Sequence, residues 1–153
     1  MITAIFVVVM LFALPLEAQK TTFTVTGSTI SFPAPTAADY VAGWINSSSG
    51  VTFTVAQNTT PKSRTTIVSI LSLSNSLGNG KAIGGLQWQR ADLATWNSIT
   101  LTGVLVEQRV LVPGGANDPW SNTINFRLLL NWATDAPATY TASYQITLTQ
   151  TVP

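Results

Sequence analysis

The side chains that most often carry catalysis are scarce in this chain. The sequence contains neither His nor Cys, which excludes a Ser-His-Asp triad, a Cys-His dyad and a zinc site with nitrogen and sulfur ligands. A glycosidase needs two carboxylates across a cleft. The acidic residues beyond residue 18 are separated in sequence and could meet only through folding: Asp39, Asp92, Glu107, Asp118 and Asp135. We therefore expect a non-enzymatic protein without a cofactor or a metal.

The five tryptophans are the other residues with binding potential. Trp96 and Trp120 lie among polar residues, and an exposed indole can stack on the face of a sugar ring. These two are the candidate ligand-binding residues of a secreted module that would bind a polysaccharide or a cell surface. Trp44 and Trp88 lie in apolar patterns and are predicted to belong to the core. Because Trp is highly buried on average, a loop Trp folded over the end of a sandwich is the alternative.

The first residues of the chain predict export. Residues 2–16 form an almost unbroken apolar run closed by Pro15 and followed by Ala18, which is typical of a secretory signal peptide over residues 1–18. The run is short for a membrane span, which needs about 20 apolar residues, although an uncleaved anchor is the alternative. Residues 19–153 then form one domain that is secreted, periplasmic or on the cell surface, with no membrane span after cleavage.

The polar residues are mostly hydroxyls. Charged residues make up 8% of the chain, whereas Thr occurs 23 times. Without Glu17 the net charge is +2, and the basic residues are spread singly. Nucleic-acid binding relies on clustered Lys and Arg, so it is set aside. A surface coated with hydroxyls is natural for an exported protein that packs against neighbours.

Alternating apolar residues predict β-strands almost throughout. The predicted strands are residues 21–32, Val51–Gln57, 65–74, Leu86–Arg90, 98–113, 123–132 and 139–149. Gly103 is expected to bend or divide the strand over 98–113. No stretch has the period of a helix of ten or more residues. The spacing predicts an all-β fold, a single antiparallel immunoglobulin-like β-sandwich of about seven to nine strands.

The stretch "DAPATYTASYQITLT", residues 135–149, is the most informative. Asp135 and Pro137 are expected to shape a turn, and Tyr140 opens the last strand, where sandwich domains often place a Tyr bonded to the turn backbone. This ending resembles the terminal strand of bacterial secreted immunoglobulin-like modules. It is also similar to that of pilin-like subunits in the chaperone–usher and spore-coat-U group, although many chaperone–usher pilins carry a disulfide and this chain has no Cys.

The resemblance implies a subunit that pairs strands with itself or with another exported β-sandwich subunit. The N-terminal arm, residues 19–32, alternates around Gly27 as a donor strand would, and the last strand, residues 140–149, is the predicted acceptor edge. Pairing within the chain is the alternative. The candidate strand-pairing residues are Phe23, Val25, Gly27, Tyr140, Tyr144, Ile146 and Leu148.

Overall fold

The computed structural model describes residues 21–26, 29–57, 63–112 and 118–151. The predicted signal peptide, residues 1–18, and Gly27 lie outside the described residues. The described chain consists mainly of β-strands, with one α-helix of six residues and a 3-10 turn at Ile83–Gly85. The prediction of an all-β fold is confirmed.

Ten strands and the helix follow one another in the described part of the chain. In chain order they are β1 (Thr21–Val25), β2 (Thr29–Phe32), α1 (Ala37–Ala42), β3 (Trp44–Asn46), β4 (Val51–Gln57), β5 (Arg64–Ser72), β6 (Leu86–Arg90), β7 (Asn97–Ser98), β8 (Val104–Leu111), β9 (Trp120–Leu129) and β10 (Tyr140–Thr151). The number exceeds nine because the predicted strand 21–32 is divided into β1 and β2, and because β3 and β7 are too short to show alternation in the sequence. β7 ends at Ser98 and β8 begins at Val104, so residues 99–103, which include Gly103, interrupt the predicted strand 98–113.

The strands form two antiparallel sheets packed as a sandwich. The first sheet has the order β1-β4-β9-β6-β7, with β3 also paired to β9, and the second has the order β2-β10-β5-β8. β5 lies between β10 and β8, a central position that suits a strand with apolar residues on both faces.

The N-terminal arm passes from one sheet to the other. β1 pairs with β4 in the first sheet, and β2 pairs with β10 in the second. Phe23 and Val25 of β1 are partly buried against the core, and Phe32 of β2 is fully buried. The described strands of the arm therefore pair within their own chain.

The core lies between the sheets and holds the fold without disulfides. Burial of each large apolar side chain contributes about 1.5–3 kcal/mol, so the stability comes from many such residues. The fully buried aromatic and aliphatic side chains of the core include Phe32, Phe53, Phe126, Tyr140, Ile70, Leu86, Ile99, Ile124 and Leu128.

β8 contains a β-bulge. Val68 lies opposite Glu107, whereas Ser69 lies opposite Leu105, so Val106 is an extra residue in the pairing with β5. The bulge leaves two consecutive side chains buried, because Val106 and Glu107 are each 6% exposed. A carboxylate thereby enters the interior of the sandwich.

The turn before β10 is tied to the core as the sequence predicted. Tyr140 Oη donates a hydrogen bond to the backbone oxygen of Ala136 at 2.5 Å. Asp135 Oδ2 accepts hydrogen bonds from Lys81 Nζ at 2.5 Å and from the backbone N–H of Asn131 at 2.8 Å. Burial opposes ionisation of Asp135, yet these bonds keep its pKa below the usual value. Together the contacts fix where β10 begins.

Replacement of Tyr140 by Phe is expected to lower the free energy of unfolding by about 1–2 kcal/mol, because a buried hydrogen bond is lost. Tyr144→Phe is the matched control: the Tyr144 hydroxyl is buried with no hydrogen-bond partner among the described residues, and burial raises its pKa to about 12. That variant should be neutral or stabilising. Urea denaturation of residues 19–153, which contain every described strand, measures both. Equal losses would contradict the distinction.

Candidate functional site

The open edge of β10 is the first candidate site. β10 pairs with β5 over residues 144–151 but with β2 only over residues 140–143. Among the described strands, none pairs with residues 145–151 on the side away from β5. If β2 continued backwards in register, Val25 would lie opposite Thr147, but Val25 pairs with Phe53 in the first sheet. The passage of the arm between sheets therefore leaves seven residues of β10 without a neighbouring strand on this side among the described residues.

The prediction that the whole of residues 140–149 is an acceptor edge needs correction. Residues 140–143 lie beside β2, so only the later part of β10 is open. Tyr140, Tyr144 and Ile146 are buried, and Leu148 is partly buried against the core. These side chains pack within their own sandwich, and the backbone is what this edge offers for pairing.

Three of the other edge strands in the described part of the chain differ from the open edge of β10. β7 has two residues, and β2 has four and is followed by Pro33 and Pro35. β8 carries the bulge together with the charged residues Glu107 and Arg109. Short length, prolines, bulges and charges all discourage pairing with another chain. Residues 145–151, "QITLTQT", have no charge and no proline, and β1 is an uncharged edge of five residues in the first sheet.

Charged side chains cluster where β6, β8 and β9 meet. Arg90 pairs with Asp92 and lies 3.5 Å from Glu107, and Arg109 Nε donates to Glu107 Oε1 at 2.5 Å. Asn122 Nδ2 donates to Asp92 at 3.1 Å and to Glu107 at 3.3 Å. The network connects the two sheets, since β8 belongs to the second and β6 and β9 to the first.

Two carboxylates, those of Asp92 and Glu107, thus meet in space, but their surroundings do not suit acid–base catalysis. The hydrogen bond from Arg90 lowers the pKa of Asp92 to about 2, whereas a general acid at neutral pH needs a raised pKa. The Glu107 side chain is 5% exposed and lies against two guanidinium groups. The arrangement is that of structural ion pairs.

The remaining charged residues of the described ranges are engaged as well. Each has a hydrogen bond, an ion pair, a ring contact or another electrostatic interaction: Asp39, Arg64, Lys81, Asp118, Arg127 and Asp135. Hydroxyls cover the outer face of the first sheet instead. The Thr52 and Thr123 hydroxyls lie 2.9 Å apart, as do those of Thr54 and Ser121. The protein therefore presents rows of neutral donors and acceptors.

The prediction that Trp120 is exposed is wrong. Trp120 is 4% exposed and meets Phe53 edge-to-face, with 5.3 Å between ring centroids. The guanidinium carbon of Arg109 lies 4.7 Å from its ring centroid. Trp120 begins β9 opposite Val55 and faces the core. Its polar neighbours in sequence did not reveal this, because strand register decides which side chains face inward.

Three of the other tryptophans divide between the core and the outer face of the first sheet, and Trp132 stacks on Tyr40. Trp88 is buried as predicted, but Trp44 is 37% exposed, because β3 turns Ile45 inward. Trp96 is half-buried. The Arg127 guanidinium carbon lies 4.4 Å from the Trp96 ring centroid and 5.9 Å from that of Trp44. Trp96 therefore remains the one predicted ligand-binding residue at the surface.

Trp96 lines a polar cleft of about 410 Å³, the second candidate site. The other lining residues are Asn46, Ser47, Ser48, Ser49, Gly50, Gln89, Asn125 and Phe126. Sequence reasoning missed the amides. Alternation in "LQWQR" and "TINFR" places Gln89 and Asn125 outward, but only the pairing of β6 with β9 sets them opposite each other.

No protein family, curated protein or solved structure matches this chain. Over the described ranges, no helix is long and apolar enough to cross a membrane. The same residues contain no group of three or more acidic side chains placed to hold a metal ion.

The Asp92→Asn variant is expected to flatten the loss of stability in acid. Because the pKa of Asp92 is lowered in the folded chain, its carboxylate stabilises the fold above the unfolded pKa of about 3.9. This contribution disappears as the pH falls towards about 2. The side chain is 47% exposed, so solvent limits the effect to about 1 kcal/mol or less.

Urea unfolding of the wild-type protein and of Asp92→Asn between about pH 6 and about pH 2 measures the difference in stability. Above about pH 5 the two curves should run parallel, since Asp92 is ionised in the folded and unfolded chain alike. Curves that stay parallel down to the acid limit would show that the ion pair with Arg90 contributes nothing.

Proposed function

We propose that this chain is an exported, non-enzymatic structural or surface protein whose copies assemble by pairing the open edges of β10. The observation that carries the proposal is that no described strand pairs with residues 145–151 on the side away from β5. An uncovered edge presents unpaired N–H and C=O groups that can accept another strand. The predicted signal peptide, residues 1–18, supports export.

The sequence of this edge favours a second copy of the chain as the partner. In a two-fold antiparallel arrangement centred on Leu148, Thr147 of one copy lies opposite Thr149 of the other. Gln145 lies opposite Thr151, so hydroxyl and amide groups meet on the outer face. No like charges oppose each other, and such cross-strand pairs favour association.

The contacts made by the acidic side chains support a non-enzymatic role. The two carboxylates that approach each other, Asp92 and Glu107, are neutralised by Arg90 and Arg109. Asp39 accepts hydrogen bonds at the start of α1, and Asp135 holds the turn before β10. These carboxylates serve the fold and are not aimed into the Trp96 cleft.

Introduction of a charge on the open edge should weaken assembly. In the two-fold arrangement, Thr149→Lys places two lysines close together on the outer face, and like charges there cost about 1 kcal/mol. The dissociation constant should therefore rise by about fivefold. Thr141→Lys is the matched control, because Thr141 is an exposed residue of the same strand but lies beside β2, opposite Ser31.

Light scattering of residues 19–153 over a range of concentrations measures the mass of each form. The wild-type chain and Thr141→Lys should form dimers or larger assemblies, and Thr149→Lys should shift towards the monomer with unchanged circular dichroism. A wild-type monomer at every concentration would contradict the proposal. Unweakened assembly of Thr149→Lys would also contradict it. A chain without residues 19–32 would then test donation of the arm.

A further inference from the structure

The Trp96 cleft lies apart from the proposed pairing edge. It opens on the outer face of the first sheet beside β3, β6 and β9, whereas the open part of β10 belongs to the second sheet. Its volume of about 410 Å³ falls within the range of small-ligand sites, about 300–1,000 Å³. Assembly through β10 does not use this cleft.

The lining of the cleft is polar but carries no charged side chain. The side-chain amides of Asn46, Gln89 and Asn125 make no hydrogen bond to any described residue. Each amide has two donor hydrogens and an acceptor oxygen, so the three can bond to groups that both donate and accept. A sugar hydroxyl is such a group.

Trp96 is held in place before any ligand arrives. The Arg127 guanidinium stacks on one face of its ring at 4.4 Å, and Arg127 Nε donates to Gln87 Oε1 at 2.7 Å. Both contacts restrict the rotamers of the two long side chains. An aromatic ring that is already ordered loses less conformational entropy when a ligand packs against it.

Gly50 keeps the opposite wall close to the sheet. A Cβ at this position would lie 2.8 Å from Thr123 Cγ2 and 3.0 Å from Asn125 Oδ1. Any larger residue would push the turn of residues 47–50 outward or displace Asn125. The shape of the cleft therefore depends on a glycine at this position.

The geometry points to binding of an uncharged saccharide in this cleft, one or two pyranose rings long. The apolar face of a ring packs against Trp96, and its hydroxyls bond to the amides of Gln89, Asn125 and Asn46. The absence of charge from the lining favours a neutral sugar over an acidic one. Binding at this site does not depend on assembly at the β10 edge.

Native gel retardation with neutral polysaccharides tests this inference. The panel consists of hydroxyethylcellulose, laminarin, galactomannan and dextran, with alginate as the acidic comparison. Calorimetry with the hexasaccharide of the retarding polysaccharide then gives a dissociation constant. At least one neutral polymer should retard residues 19–153 more strongly than alginate does. If no neutral polymer retards the wild-type chain, the inference is wrong.

Variants of the cleft then locate the binding. Trp96→Ala and Asn125→Ala should each weaken binding by about tenfold or more, and Trp96→Phe by less, since it keeps an aromatic face. Trp44→Ala is the matched control, because Trp44 also contacts Arg127 but does not line the cleft; it should stay within about twofold. Equal affinity of Trp96→Ala and the wild-type chain would overturn the inference.

Thr149→Lys separates this inference from the assembly proposal. The variant should bind the hexasaccharide with wild-type affinity in calorimetry, because position 149 lies on the other sheet. Loss of binding in a folded Thr149→Lys chain would place the ligand at the edge of β10 and would overturn the assignment to the cleft. Thermal unfolding of every variant shows whether a lost signal comes from a lost fold.

Discussion

The division of the N-terminal arm between two sheets is the constraint on which the rest of the structure depends. β1 closes the first sheet against β4, and β2 covers only the beginning of β10. Because Phe23 and Phe32 pack against the shared core from opposite sheets, the arm cannot also lie along residues 145–151. The same burial that holds the sandwich together without disulfides thus leaves a stretch of strand edge uncovered.

The placement of the charged side chains also makes the edge of β10 different from the edge of β8. Charged side chains are few, and the bulge in β8 brings Glu107 inward to Arg90 and Arg109. The edge of β8 is thereby protected from pairing with another strand, whereas the hydroxyl-rich edge of β10 is not. Since the Trp96 cleft opens on the other sheet, a dimer joined at β10 would display two clefts. Weak binding at each would then add up through multivalency.

Sequence patterns predicted what depends on local alternation. β4 and β6 have the predicted bounds, and the bond between Tyr140 and its turn was predicted from position alone. Contacts between distant segments were not predictable in this way. Trp120 looked exposed because its neighbours are polar, and its burial follows from the register of β9 on β4. The facing amides of the cleft likewise depend on the pairing of β6 with β9.

Backbone amide exchange along β10 tests the central claim most directly. Alternate amides of residues 145–151 point away from β5, and in a free monomer they should exchange rapidly. If copies pair through this edge, those amides become protected as the protein concentration rises, while the amides bonded to β5 change little. The contradicting result would be an assembled protein, with a mass above that of the monomer, in which the outward amides of residues 145–151 still exchange rapidly.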